Sequence, residues 1–147
     1  MGRKKSKATP KGFVLDCSVV IAWFFEDEAV GYAEAVEDSL AAATAVVPSL
    51  WPLEVANALL IAERRKRTTE AKVSAFLKLL RSLPIQTDDE TTIRAWHEPM
   101  HLARAQQLSV YDSTYLELAL RRGLPLATLD NRLKAVAATV GVPEYEP

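Results

Sequence analysis

The chain has 147 residues, 49% of them hydrophobic and 25% charged. That suits one domain with a single buried core and excludes wholesale disorder, collagen-like repeats and, for want of an uninterrupted apolar run of about 18 residues, a membrane-spanning helix. The net charge of −1 conceals an asymmetry: the first eleven residues carry +5 and the remaining 136 a net −6, so the acidic body is a poor passive binder of phosphate.

Residues 1–12 read as a basic, disordered arm and residues 13–147 as one domain. The arm followed by FVLDCSVVIAWFF imitates a secretory leader, but Asp16 interrupts the apolar run and no small-residue cleavage site precedes Glu26. Met1-Gly2-Arg3-Lys4-Lys5-Ser6 also fits a myristoylation pattern, for which a plain basic arm is the preferred account. A single cysteine, Cys17, forms no internal disulfide and fits a reducing cytoplasm.

In chain order, 13–16 reads as a short buried strand, 29–43 as an Ala-rich helix and 45–47 as a second strand. Ser49 is placed to cap a helix over 50–66 with Pro52 in its first turn, and Thr68 or Thr69 to cap another to about 83. Residues 84–86 form a third candidate strand, and Asp88 starts the next helical stretch. A helix over 111–122 closes at Gly123, 124–128 reads as a strand, and Asp130 opens a last helix to about 139. Single strands separated by helices predict an α/β fold with a mostly parallel sheet covered on both faces. Ligands then bind beyond the carboxyl ends of the strands.

Two acids, Asp16 and Asp130, fall at that edge. Glu54 and Asn57 are the only polar members of LEVANALLIA and lie one turn apart on one helix face. A glutamate there is costly unless paired, metal-bound or solvated, and as an early-turn acid it also suits the helix dipole. Ser109-Val110-Tyr111-Asp112 fits a capping box, so Asp112 has a structural reading on a helix whose core stripe is Tyr111, Tyr115 and Leu118. Asp16 and Asp130 have similar cap readings. Taken together, acids gathered at one edge repel unless a cation binds them, and hard oxygen ligands suit Mg²⁺ or Mn²⁺. Such ions would neutralise both the site and a phosphodiester and activate an attacking water.

Rival motifs are weaker. His97-Glu98-Pro99-Met100-His101 is a literal H-E-x-x-H, but Pro99 interrupts the unbroken helix that a zinc site of this kind needs, leaving a kinked surface helix. Cys17 has no histidine partner and reads as core. Arg64, Arg65 and Arg67 either contact phosphates or complement their helix's C-terminal end. No phosphate-cradling glycine loop is present.

FVLDCSVVIAWF, VPSLWPLEVANAL and LSVYDSTYLELALRRGLPLATLD together resemble the PIN-domain ribonucleases, specifically VapC-type toxins of bacterial toxin–antitoxin pairs, over about residues 13–140. The resemblance implies a three-layer α/β/α sandwich. It implies that Asp16, Glu54, Asp112 and Asp130 hold one or two Mg²⁺ or Mn²⁺ ions, with Ser18, Asn57 and Thr128 in support. The activity implied is hydrolysis of RNA by a metal-activated water, leaving 5′-phosphate and 3′-hydroxyl ends. Arg64, Arg65 and Arg67, or the arm, would hold the RNA backbone. It further implies a homodimer and a small antitoxin partner; no membrane association is expected from the lack of a long apolar run, and a cytoplasmic location from the single cysteine. Ser113, where alanine is common, and Pro99 depart from the pattern. The competing functions are a non-catalytic RNA- or partner-binding module and a structure-specific DNA nuclease.

Overall fold

A computed structural model describes residues 12–25 and 31–147. Apart from Gly12, the expected basic arm lies outside the described residues, as do 26–30. Four short strands form one sheet: β1 (Gly12–Leu15), β2 (Thr44–Val47), β3 (Ile85–Thr87) and β4 (Leu126–Ala127). Every pairing is parallel and the order is β3-β2-β1-β4. Phe13, Val14 and Leu15 are wholly buried, as expected for a central parallel strand covered on both faces.

The helices are α1 (Cys17–Phe24), α2 (Gly31–Ser39), α3 (Trp51–Arg64), α4 (Glu70–Ser82), α5 (Thr91–Arg94), α6 (Glu98–Gln106), α7 (Val110–Arg122) and α8 (Asn131–Val140). Stepping from β1 to β2 to β3 and then back to β4 with right-handed crossovers places α1–α4 on one face and α5–α7 on the other. The packing agrees: α1 contacts α2 and α3, while α6 contacts α7, and α7 lies on β1 and β4. The strand order reverses between β1 and β4, so their carboxyl ends mark the crevice where such folds bind ligands.

Local chemistry sets the boundaries. Thr69 accepts from the Lys72 N–H, Ser109 from Asp112 and Asp130 from Leu133, so three caps are made by side chains. Gly123 closes α7 at φ 63°, a conformation glycine adopts without steric cost. The β4 strand is shorter than the five residues expected: Pro125 has no N–H to pair, and the Thr128 side chain turns to Asp16. The C-terminal segment covers its outer edge, with Leu126 N–H donating to Pro143 O (3.0 Å) and Tyr145 N–H to Leu126 O (2.9 Å).

Expectations for Ser49, Tyr111 and the 97–101 stretch are corrected. Ser49 does not cap α3; its N–H donates to Thr91 Oγ1 (3.1 Å), and the helix begins at Trp51 without a side-chain cap. Tyr111 is not core but 66% exposed, while Tyr115 and Leu118 are fully buried. The 97–101 stretch is not a kinked helix: α6 begins at Glu98 with Pro99 in its first turn, where no intrahelical N–H is needed, and His97 stands outside it.

Asp88 does not lead into a helix directly. Its wholly buried carboxylate takes Arg121 Nη2 (2.8 Å), Arg122 Nη2 (3.1 Å) and Thr91 Oγ1 (3.0 Å), tying the end of β3 to the end of α7. Arg121 also meets buried Glu117 (2.9 Å) and Glu90 (3.0 Å). Although burial opposes ionisation of Asp88, the two guanidiniums and Thr91 outweigh it and hold the carboxyl down at about 2. A carboxyl depressed from 3.8 to about 2 contributes stability in full above pH 4 and loses it as the pH falls through 2. Asp88→Asn is therefore expected to cost about 2 kcal/mol in urea unfolding at pH 7, with the difference from the unsubstituted chain closing towards pH 2.

Candidate metal centre

Asp16 follows β1 directly, and its N–H donates to Ala127 O (3.0 Å), which sets it beside the end of β4. It occupies the position preceding α1, yet its side chain makes no cap. Instead Asp16 Oδ2 accepts from Ser18 Oγ (2.6 Å) and Thr128 Oγ1 (2.8 Å). Those hydroxyls are themselves fixed: Leu129 N–H donates to Ser18 Oγ (3.0 Å) and Asp130 N–H to Thr128 Oγ1 (3.0 Å). The two positions expected to be supporting hydroxyls thus aim a carboxylate that is only 7% exposed.

Glu54 stands in the first turn of α3, half-buried, and accepts from the Tyr115 hydroxyl at 2.5 Å. Sequence reading took Tyr115 as core alone; its place three residues after Asp112, on the same helical face, was the available signal. Asp112 sits in the first turn of α7, and its N–H donates to Ser109 Oγ (3.1 Å). Asp130 begins α8, where Oδ1 accepts from Leu133 N–H (2.9 Å). Its cap and its place at the crevice are therefore compatible.

Electrostatic interactions link Asp16 with Asp130, Glu54 with Asp16 and Asp112, and Asp112 with Asp16 and Asp130. Burial raises the Asp16 carboxyl above its usual range, its hydroxyl partners resist, and the Asp130 charge adds to the rise. Glu54 is raised by burial, relieved by the Tyr115 hydrogen bond and raised again by Asp16 and Asp112. Asp112 is raised by burial and by the charges of Asp16 and Asp130, with Ser109 and Arg132 acting in the opposite sense. Cys17, pushed up to about 12 by burial and by Glu54 and Asp16, is a protonated thiol rather than a nucleophile.

The remaining expected residues lie apart. Asn57 is exposed, and among the described residues no hydrogen bond joins it to Glu54. Arg64, Arg65 and Arg67 are exposed at the far end of α3, ten or more residues and so roughly 15 Å along the helix from Glu54. The Arg67 guanidinium lies 4.4 Å from the Phe25 ring centroid.

A second acidic group, Asp88, Asp89 and Glu90, brings one carboxylate oxygen from each residue within 4.8 Å of the others, a spacing compatible with a divalent ion. Two of its three charges are already compensated, however: Asp88 and Glu90 share Arg121, Asp88 also holds Arg122, and Glu90 also meets Arg94 at 3.4 Å. The crevice acids differ in exactly this respect, since none of them forms an ion pair among the described residues. An all-oxygen donor set, in which Asp16, Glu54 and Asp112 are raised, fits a hard cation such as Mg²⁺ or Mn²⁺.

A parallel four-stranded sheet between helices, with carboxylates at its reversal point, is the arrangement of the PIN domain. The chain belongs to the PIN domain family, whose pattern matches residues 13–139. It is similar to the crystal structure of PAE2754 from Pyrobaculum aerophilum, with 25% identity over 90% of this chain and 83% of that one, at a TM-score of 0.63. No curated protein matches. PIN domains are in general metal-dependent nucleases. Among the described residues no helix is long and apolar enough to cross a membrane.

Removing one of several repelling carboxylates relieves strain in the ion-free chain. A carboxyl whose pKa is raised on folding makes the chain less stable as the pH climbs through the raised value, the reverse of Asp88. Asp112→Asn is accordingly expected to raise the melting temperature in EDTA at pH 7 by about 2–4 °C, corresponding to about 1 kcal/mol at this size, with the gain vanishing below pH 4. Differential scanning calorimetry at both pH values checks this.

Proposed function

We propose that this chain is a Mg²⁺- or Mn²⁺-dependent endoribonuclease, the toxin of a toxin–antitoxin pair, with Asp16, Glu54, Asp112 and Asp130 as its catalytic carboxylates. The observation that carries the nuclease reading is the set of four acids at the sheet's reversal point that make no ion pair among the described residues, in contrast to Asp88 and Glu90, which are held by arginines. The toxin role, the antitoxin partner, the homodimer and the cytoplasmic location rest on the resemblance of the quoted segments.

The chain's own part is to hold ligand oxygens ready. In three of the acids one oxygen is anchored, and among the described residues its twin makes no side-chain hydrogen bond: Asp16 Oδ2 on two hydroxyls, Glu54 Oε1 on Tyr115, Asp130 Oδ1 on the Leu133 N–H. Asp16 Oδ1, Glu54 Oε2 and Asp130 Oδ2, with the Asp112 carboxylate, would then hold the cation. When bound, a divalent ion neutralises carboxylates and phosphodiester together and activates water for in-line attack on phosphorus. Anchoring one oxygen of each acid fixes the ligand orientation before binding, so little rearrangement is needed during the reaction. Tyr115, a buried phenol held in its neutral form, donates a proton in its hydrogen bond to Glu54 without transferring it.

Purified chain free of antitoxin is expected to cut a labelled RNA pool with Mg²⁺ or Mn²⁺ and not with EDTA. Asp16→Asn and Asp112→Asn should each lower the rate at least about 100-fold. RNA binding that EDTA leaves unchanged, without cleavage, would support a binding module instead, and preferential cutting of DNA flaps a DNA nuclease. Tyr115→Phe, which frees Glu54 but leaves all four acids, is expected to lose roughly tenfold in rate while retaining the fold in circular dichroism.

A further inference from the structure

Arg132 lies in the first turn of α8, two residues beyond Asp130, and is exposed. One of its Nη2 hydrogens goes to the backbone carbonyl of Gln107. Gln107 closes α6 in the left-handed region at φ 54°, two residues before Ser109, the cap of the helix that carries Asp112. The arginine thus spans the entrances of the two helices that bear Asp112 and Asp130. It is close enough to Asp112 to influence that carboxyl electrostatically, yet it makes no ion pair with any acid among the described residues.

Other arginines close to acids are ion-paired. Arg94, Arg121 and Arg122 are each engaged by Asp88, Glu90 or Glu117. Arg132 has acids nearer the crevice but is held by a carbonyl, which fixes the guanidinium without neutralising it. A guanidinium presents five N–H donors in a planar fork and keeps its charge at any working pH. With one donor anchored, the others suit the paired oxygens of a phosphodiester. Binding there would place positive charge beside a substrate that the acidic body otherwise repels, a task the exposed arginines at the far end of α3 are too distant to perform at the carboxylates themselves.

Resting on the endoribonuclease reading above, we infer that Arg132 is a substrate-contacting residue that holds a backbone phosphate of the RNA at the mouth of the carboxylate cluster, with the Gln107 carbonyl as the anchor that aims it. A phosphate contact sets affinity and register and not base choice.

The test is fluorescence anisotropy of a 5′-labelled single-stranded RNA pool with Mg²⁺, titrated with the full chain carrying Asp16→Asn to keep the RNA uncut. The titration is repeated with Arg132→Gln and with Arg132→Lys added, over a range of KCl concentrations. Arg132→Gln is expected to weaken binding roughly tenfold and to make the slope of log affinity against log salt shallower by about 0.7, the share of one phosphate contact on a single strand. Arg132→Lys, which keeps the charge, should retain the slope. An unchanged slope and affinity in Arg132→Gln, while the unsubstituted chain cuts RNA, overturns this inference and leaves the nuclease reading standing. A melting temperature lowered in both variants with the slope unchanged assigns Arg132 to a structural clasp alone and likewise overturns it. An unsubstituted chain that neither cuts nor binds RNA overturns both readings.

Discussion

Carboxylates held at one end of a parallel sheet, at Asp16, Glu54, Asp112 and Asp130, are the constraint around which the rest of the crevice is arranged. Burial raises Asp16, Glu54 and Asp112, and the charges of neighbouring acids add to the rise. The fold opposes this with strong local anchors: two hydroxyls on Asp16, a buried phenol on Glu54 and the Leu133 N–H on Asp130. Those anchors orient the acids without cancelling their charge. An arrangement that keeps charge uncompensated while fixing its direction is suited to a cation, and it is poorly explained by stability alone.

The Asp88 group supplies the contrast within the same molecule. It is the tighter of the two acidic clusters, and proximity of oxygens alone would favour it as a metal centre. Its chemistry does not, because Arg121, Arg122 and Thr91 outweigh burial and lower the Asp88 carboxyl to about 2, whereas Asp16, Glu54 and Asp112 are raised. The first cluster is a brace between β3 and α7. The second is the one we propose as the site. Charge balance, more than spacing, separates them.

Much of this was legible in the sequence, for identifiable reasons. Continuous apolar runs at Phe13–Leu15 and around Ala45–Val47, each followed by helical sequence, gave the parallel sheet, since only strands covered on both faces read that way. Asp16, Glu54, Asp112 and Asp130 stood out because they fall at strand ends or on apolar helices. The helix entrance at Ser109 and the exit at Gly123 followed from capping chemistry. What could not be read was anything set by distant contacts. Tyr115 looked like core because its ring is core; only the tertiary fold brings its hydroxyl to Glu54, 61 positions away. Asp88 looked like a helix start because its partners, Arg121 and Arg122, come from more than thirty residues further along. The shortness of β4 depended on Thr128 turning to a carboxylate 112 positions away.

The central claim, that the crevice acids and not the Asp88 group form the cation site, is tested most directly by isothermal titration of Mn²⁺ into the metal-free chain. The exposed Asp89 serves as the control for the Asp88 cluster. The account predicts binding that is lost or weakened at least about tenfold by Asp112→Asn and left unchanged by Asp89→Asn. Binding that survives Asp112→Asn and disappears with Asp89→Asn would contradict it.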